Sequence, residues 1–141
     1  MYDRPDVSEL IDAVRQHLEG QVIPSIKGDA KLYFQTLVAA NVLKIALRDL
    51  ALSGDHLQSD WERLNDLLGE TILMPANQQA AAVEMKTRNH SLCAAVRAGA
   101  WDAPDHMNAL IAMALANTAD ALAIANPKFL IAIQEESQRK L

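Results

Sequence analysis

The sequence contains a single cysteine, Cys93, and only two residues each of tryptophan, tyrosine and phenylalanine. One cysteine cannot form a disulfide within the chain, and it cannot supply the several thiolates of a structural zinc site. The five glycines occur singly, so the sequence has no glycine-rich loop of the kind that binds phosphate groups. These absences exclude disulfide scaffolds and thiolate zinc modules, and we expect no cofactor.

An excess of positive charge is also missing. The chain has 13 basic and 18 acidic residues, which give a formal net charge of −5. Because a nucleic acid backbone is bound by positively charged surfaces, no nucleic acid partner is expected. The longest apolar run, residues 110–116, is shorter than the roughly 20 residues that a membrane span needs. The N-terminus also lacks the apolar core of a signal peptide, so we expect a cytoplasmic protein without a membrane partner.

Alanine is abundant instead, with 24 residues, and half of all residues are hydrophobic. Alanine is the strongest helix former, and no run of alternating apolar and polar residues predicts a strand. A length of 141 residues suits one domain with one core. We therefore predict an all-α fold, a single helical domain over residues 1–141. The prediction comprises five main helices at about residues 7–22, 30–52, 56–68, 78–98 and 103–125, and a short C-terminal helix.

Capping residues, glycine and proline set the predicted helix ends. Asp6, followed three residues later by Glu9, predicts a capping box at the first helix. Pro24 predicts the end of that helix, because proline has no amide hydrogen to donate. Residues 53–54, a serine and a glycine, predict the end of the second helix. Residues 59–62 match a second capping box, which would start the third helix.

The helix predicted at residues 30–52 carries two seams on different sides. In the second seam, residues recur at steps of four and three, and two of its positions are polar. Two seams require neighbours on two sides of the helix. The helix either lies at the centre of the bundle or uses the second seam to contact another subunit, in which case the chain forms a homodimer. The candidate interface residues are Phe34, Val38, Asn41, Ile45 and Arg48.

The polar residues form no catalytic or metal-binding motif. None of the four histidines has the spacing of a metal-ligand pair. Asp102 and His106 could share a helix face, but capping already explains an acidic residue near a helix start. His90 lies one helical turn before Cys93, but a lone cysteine in a helix is more often a small packing residue. We therefore expect no enzyme activity and no metal site.

Three further interpretations concern residues 69–113. Glu84 stands four residues before Arg88, a spacing that predicts a solvent-exposed ion pair. Pro75 predicts a loop at about residues 69–79. Methionines, although ordinary core residues, are flexible enough to line an adaptable apolar pocket for an acyl chain. The candidate pocket residues of this alternative are Met74, Met85, Met107 and Met113.

Several short stretches, spread over most of the chain, carry a family resemblance. They are Asp3-Arg4-Pro5 before Glu9-Leu10, Val38 to Leu43, Val96-Arg97-Ala98-Gly99 before Asp102, and Leu122 to Phe129. Together they resemble a family of small bacterial helical proteins of unknown function. Members of that family accompany kinases similar to the aminoglycoside phosphotransferases, often near acyl-CoA dehydrogenases. The resemblance implies an accessory role beside such a kinase and implies no catalytic residue.

The leading hypothesis is therefore a non-enzymatic accessory or regulatory protein, a helical homodimer that docks on a phosphotransferase-like kinase. The alternative is a helical bundle that binds a small apolar ligand such as an acyl chain. Residues 69–79 match the family least. The family resemblance therefore implies no function for that loop.

Overall fold

The computed structural model describes residues 4–139, and this part of the chain is helical without strands. The predicted all-α class is confirmed, and so is the short helix at the C-terminal end. Asp3, at the start of the first stretch of the family resemblance, lies outside the described residues. The helices are α1 Val7–His17, α2 Ile23–Ser25, α3 Ala30–Leu68, α4 Gln78–Arg97, α5 Pro104–Ala125 and α6 Pro127–Arg139, with a π-helical turn Leu18–Val22 between α1 and α2.

The helix ends are fixed by local hydrogen bonds and by two glycines. The amide of Glu9 donates to the Asp6 carboxylate at 2.8 Å, and the amide of Asp6 donates to the Glu9 carboxylate at 2.9 Å. The predicted capping box is thus confirmed. The side chain of Asn77 caps α4 in a similar way. Gly69 and Gly99, which follow α3 and α4, have φ angles of 65° and 82°, a conformation that side chains disfavour.

The helices predicted at residues 30–52 and 56–68 are one helix, because α3 runs unbroken through residues 53–54. The prediction of a break is wrong, and the capping box predicted at residues 59–62 is absent for the same reason. A single glycine inside a helix costs only about 1 kcal/mol relative to alanine. The side chain of Trp61, 2% exposed, is buried just beyond this point, and its packing outweighs the weak local signal.

The helical path also continues past Pro24, where the sequence predicts an end. The residues before it form the π-helical turn, and Ile23–Ser25 forms α2. The amide of Ile23 donates to the carbonyl of Leu18, five residues back instead of the four of an α-helix. Proline cannot donate to a regular helix and clashes with its preceding turn. The π-helical turn replaces the regular hydrogen-bonding pattern just before Pro24. The helical conformation therefore continues through the proline to Ser25.

The chain divides into two compact units, the first ending at Ser53 and the second beginning at Gly54. The first unit contains α1, the π-helical turn, α2 and the first part of α3. In this unit an ion pair between Lys44 and Glu19 connects α3 to the π-helical turn. Within residues 4–53 of this unit, the buried residues are Ile23, Thr36 and Ala40.

The second unit is built around a central cluster, defined by the buried side chains of Trp61 and Leu64 from α3 and Met85 and Leu92 from α4. Trp61 and Leu64 are the largest fully buried side chains in the described chain, at 2% and 1% exposure. The cluster therefore joins α3 to α4, and partly buried residues extend it to α5 and to the segments after α3 and α4. These residues are Leu57, Leu67, Leu68, Met74, Val96, Trp101, Leu110 and Met113.

Helix α5 is the most apolar of the helices that the structure describes. Its 22 residues are long and apolar enough to cross a membrane by length and composition alone, and none of them is fully buried within the chain. Leu110 and Met113 pack against the central cluster. Asp120 forms an ion pair with Arg63 of α3, with 2.7 Å between the charged atoms. One side of α5 thus contributes to the packing of the second unit, while apolar residues elsewhere on it, such as Leu115, stay exposed.

The central cluster generates a prediction for stability. Leu64→Ala removes a side chain that is 1% exposed, and we expect the free energy of unfolding to fall by about 2–5 kcal/mol. Leu73→Ala is the matched control, since Leu73 is 91% exposed and its loss should change this free energy by less than about 0.5 kcal/mol. Urea denaturation of both variants measures the difference. Equal effects would show that Leu64 is not a core residue.

Candidate functional site

A cavity of about 310 Å³ lies in the second unit, beside α4 and the segment that follows α3. This volume falls at the lower end of the range of small-molecule pockets, which is roughly 300–1,000 Å³. Most of its wall is apolar, and one charged residue of α4 contributes to it. We call it the Arg88 cavity; its lining residues are Leu68, Glu70, Ile72, Thr87, Arg88, Ser91, Leu92, Ala95 and Trp101.

Arg88 is the buried charged residue of this cavity, with a side chain only 10% exposed. Its Nη2 donates hydrogen bonds to Oδ1 of Asn65 at 2.7 Å and to Oε2 of Glu70 at 2.8 Å. The central carbon of the guanidinium lies 4.7 Å from the centre of the Trp61 ring, a cation–π contact. Its Nη1 is buried and has no hydrogen-bond partner among the described residues.

The ion pair predicted between Glu84 and Arg88 is wrong. Arg88 pairs with Glu70, which lies 18 residues earlier in the chain. An exposed pair on one helix face contributes only about 0.2–0.5 kcal/mol. In its inward position the Arg88 side chain makes two charge-assisted hydrogen bonds and a cation–π contact with the Trp61 ring. Such contacts are stronger in a partly buried site. The spacing of residues on α4 could not indicate these contacts, because both hydrogen-bond partners of Nη2, Asn65 and Glu70, lie outside α4.

Two hydrogen bonds to one backbone oxygen hold the segment at residues 69–77 beside the cavity. The indole Nε1 of Trp61 donates to the carbonyl of Ile72 at 2.7 Å, and Nδ2 of Asn65 donates to the same oxygen at 2.9 Å. Trp61 and Asn65 are one turn apart on α3, so both side chains reach the same place. Asn65 therefore connects the segment to Arg88, because its other amide atom accepts the hydrogen bond from the guanidinium.

A second polar cluster connects α3 to α5. Nη1 of Arg63 donates to Oδ1 of Asp60 and to Oδ1 of Asn117, both at 3.0 Å. Nη2 of the same guanidinium lies 2.7 Å from Oδ2 of Asp120, and Nε2 of His56 lies 4.0 Å from Oδ1 of Asp120. Partial burial raises the pKa of Asp60; Arg63 opposes the rise and the Asp120 carboxylate adds to it. The cluster is an arginine between two carboxylates, an arrangement suited to joining helices.

The structure places the four candidate pocket methionines away from the Arg88 cavity, since none of them lines it. Met85, 6% exposed, belongs to the central cluster, and Met74 and Met113 pack against that cluster. Met107 is half-buried and lies outside the cluster. None of the four methionines lines the Arg88 cavity, but Met113 lines two other pockets of the second unit, of about 480 and 570 Å³.

The candidate interface residues lie together on one side of α3. Phe34 is 65% exposed and Val38 is 46% exposed, Asn41 is also exposed, and Ile45 and Arg48 are half-buried. At 3.6 residues per turn, these positions lie on the opposite side of the helix from Thr36 and Ala40, the buried residues that α3 contributes to the described part of the first unit. The structure therefore places the second seam on the outer side of the first unit.

The remaining chemical candidates stay apart. Cys93 is exposed. The ring of His106 lies 5.6 Å from the ring of Trp101, a tilted aromatic contact. Among residues 4–139, no group of histidine, cysteine or carboxylate side chains is arranged to hold a metal ion. Of the polar groups that the structure describes in the second unit, Arg88 is the one that combines burial, an unpaired donor atom and a cavity.

A family model described as a domain of unknown function, DUF6285, matches residues 24–129. The matched range covers about three quarters of the chain and includes every residue that lines the Arg88 cavity. No curated protein and no solved structure shows significant similarity to the chain. The comparison therefore supplies a family but no activity.

The polar cluster between α3 and α5 generates a prediction for pH dependence. Asp60→Asn should raise the free energy of unfolding at pH 7, because a neutral amide is not penalised by burial or by Asp120 and can still accept a hydrogen bond from Arg63. When folding raises the pKa of a carboxyl group, the free energy of unfolding of the protein falls as the pH rises through the titration of that group. The advantage of the variant should therefore shrink as the pH falls through the raised pKa of Asp60, and it should be lost below about pH 4, where Asp60 is protonated in both states.

Urea denaturation at pH 7 and at acidic pH measures this difference. Asp55→Asn is the control, since Asp55 is an exposed carboxylate on the same helix. We expect the control to match the parent protein at both pH values. An Asp60→Asn variant that is less stable than the parent at pH 7 would contradict the assignment.

Proposed function

The chain belongs to the DUF6285 family, a family of unknown function, and we propose that it is a non-enzymatic accessory protein that acts by binding other proteins. The observation that supports this proposal is the apolar stripe on the outer side of α3, where Phe34 and Val38 are 65% and 46% exposed. Val42, 55% exposed, widens the stripe. Single exposed apolar side chains are ordinary, whereas a continuous row of them is typical of an interaction surface.

The first partner that we propose is a second copy of the chain. The second seam, which includes Phe34 and Val38 of the stripe, repeats at steps of four and three residues, the pattern by which two helices pair along their length. Residues of one stripe would then pack against the same residues of the other copy. Asn41 would lie inside this contact, where a polar side chain weakens the pairing but fixes its register.

The second partner that we propose is a phosphotransferase-like kinase of a bacterial cytoplasm. The support for this partner is the family resemblance of the sequence. Its stretches at residues 38–43, 96–99 and 122–129 all lie within the range that matches the family. The first of them contains Val38 and Asn41 of the stripe.

The dimer proposal is tested by charge substitutions on α3. Val38→Glu places an unpaired carboxylate in the contact, and we expect the dimer to dissociate at least about 100-fold more readily, which corresponds to about 2.8 kcal/mol. Leu73→Glu is the control, because Leu73 is 91% exposed and lies in the second unit. Light scattering over a range of protein concentrations gives the oligomeric state. A parent protein that is monomeric throughout would contradict the dimer.

Asn41→Leu tests the register of the same contact. An apolar residue at this position strengthens pairing but removes the preference for one alignment. We expect the variant to form larger or mixed assemblies on light scattering, whereas the parent forms one species. An unchanged dimer would place Asn41 outside the contact.

The kinase partner is tested with the kinase that accompanies the protein in its native host. We expect the two proteins to co-purify, or the kinase to change its turnover when this protein is added. Val38→Glu should weaken the effect if the stripe binds the kinase, and Leu73→Glu should not. If neither co-purification nor a change in turnover is observed, the accessory role beside this kinase is wrong.

A second candidate function is the binding of a small apolar ligand. The observation that favours it is the Arg88 cavity, whose wall is formed largely by Leu68, Ile72, Leu92, Ala95 and Trp101. Its volume of about 310 Å³ suits a short ligand. The packed methionines play no part in this version of the proposal.

A further inference from the structure

Arg88 has hydrogen-bond donors that the described part of the chain does not use. Nη2 is paired with Asn65 and Glu70, whereas Nη1 is buried without a partner. Leaving a buried donor unpaired costs about 1–3 kcal/mol, and more when the group is charged. Folded proteins rarely leave such a donor unpaired. An oxygen atom of a ligand that accepts from Nη1 would remove this cost.

The other polar side chains of the cavity offer no competing charge-assisted donor. The hydroxyl of Thr87 donates to the carbonyl of Val83 at 3.2 Å, and the hydroxyl of Ser91 donates to the carbonyl of Thr87 at 3.3 Å. Both hydroxyl hydrogens are thus used within α4. An acceptor group on a ligand would therefore be recognised by Arg88, while the rest of the ligand would lie against apolar side chains.

The charges of the cavity favour a ligand with a single negative charge. The Arg88 side chain is 10% exposed, so its positive charge is poorly screened by water. The carboxylate of Glu70, which is paired with Arg88, is 40% exposed, so water screens its charge more strongly than that of Arg88. The buried charge thus attracts an anion. A phosphate monoester carries up to two negative charges, and the second would be repelled by Glu70 more than a single carboxylate is.

We infer that the Arg88 cavity binds a small monocarboxylate with an apolar body, and that Nη1 of Arg88 holds the carboxylate. The inference rests on the second candidate function and adds the chemical class of the ligand. It is independent of the apolar stripe, because Phe34 and Val38 lie in the first unit and Arg88 lies in the second.

Tryptophan fluorescence of the full chain provides a direct test. The chain has two tryptophans, and both belong to this region: Trp61 contacts the guanidinium of Arg88, and Trp101 lines the cavity. The probes are hexanoate, hexanamide and hexyl phosphate, which share a similar chain and differ in the polar group. We expect hexanoate to bind about tenfold more tightly than either of the others, because only it gives a single charge to Arg88. Saturation-transfer NMR of the probe protons confirms binding independently of fluorescence.

Each outcome of the probe series decides between the proposals. If hexanamide binds as tightly as hexanoate, the cavity binds apolar ligands but the carboxylate class is wrong. If hexyl phosphate binds most tightly, the ligand class is a phosphate and the inference is overturned. If none of the three binds by either method, both the inference and the ligand-binding function fail. Tighter binding of hexanoate supports both.

Substitutions show whether the site is the Arg88 cavity. Arg88→Met removes the guanidinium but keeps a long unbranched side chain, and hexanoate should then bind about tenfold more weakly, no better than hexanamide. Arg97→Met is the control, an exposed arginine on the same helix that lies outside the cavity lining. A folded Arg88→Met variant that keeps the affinity of the parent protein for hexanoate would overturn the inference.

A second variant keeps the test valid if Arg88→Met does not fold. Ser91→Phe fills the cavity from an exposed position on α4 and leaves the contacts of Arg88 in place. All binding of hexanoate should then be lost. Cys93→Phe is its control, since Cys93 is exposed on the same helix and does not line the cavity. Binding that survives Ser91→Phe would place the ligand elsewhere and contradict the inference.

Discussion

The indole of Trp61 is the group on which the second unit depends. Its ring is 2% exposed within the central cluster, its Nε1 donates to the carbonyl of Ile72, and its face carries the guanidinium of Arg88. A large buried aromatic side chain contributes more apolar area than any other residue type, and its polar atom requires a partner. One side chain therefore packs α3 against α4, holds the segment at residues 69–77, and supports the charge at the cavity.

Burying Arg88 is costly, and its surroundings reduce that cost only in part. Asn65, Glu70 and Trp61 satisfy one end of the guanidinium, while Nη1 is left without a partner in the described chain. Replacing a whole buried ion pair by apolar residues is often neutral or stabilising, so stability alone does not require the pair of Arg88 and Glu70. An incompletely satisfied charge beside an apolar cavity is better explained by a ligand that completes it.

The two proposed functions use different parts of the molecule. Protein binding is assigned to the stripe that contains Phe34 and Val38 in the first unit, and ligand binding to the Arg88 cavity in the second. Because the surfaces share no residue, a substitution in one should leave the other measurable. The two proposals are independent, and one protein can have both functions.

The sequence by itself determined the all-helical class and the capping box at Asp6, because caps and apolar periodicity act between residues no more than a few positions apart. Tertiary structure decided the rest. Trp61 keeps α3 helical where glycine suggests an end, and Arg88 turns away from Glu84 to Glu70, 18 residues earlier. Local spacing carries no information about a partner that only folding brings near, so the cavity and its unpaired donor could not be predicted from the sequence.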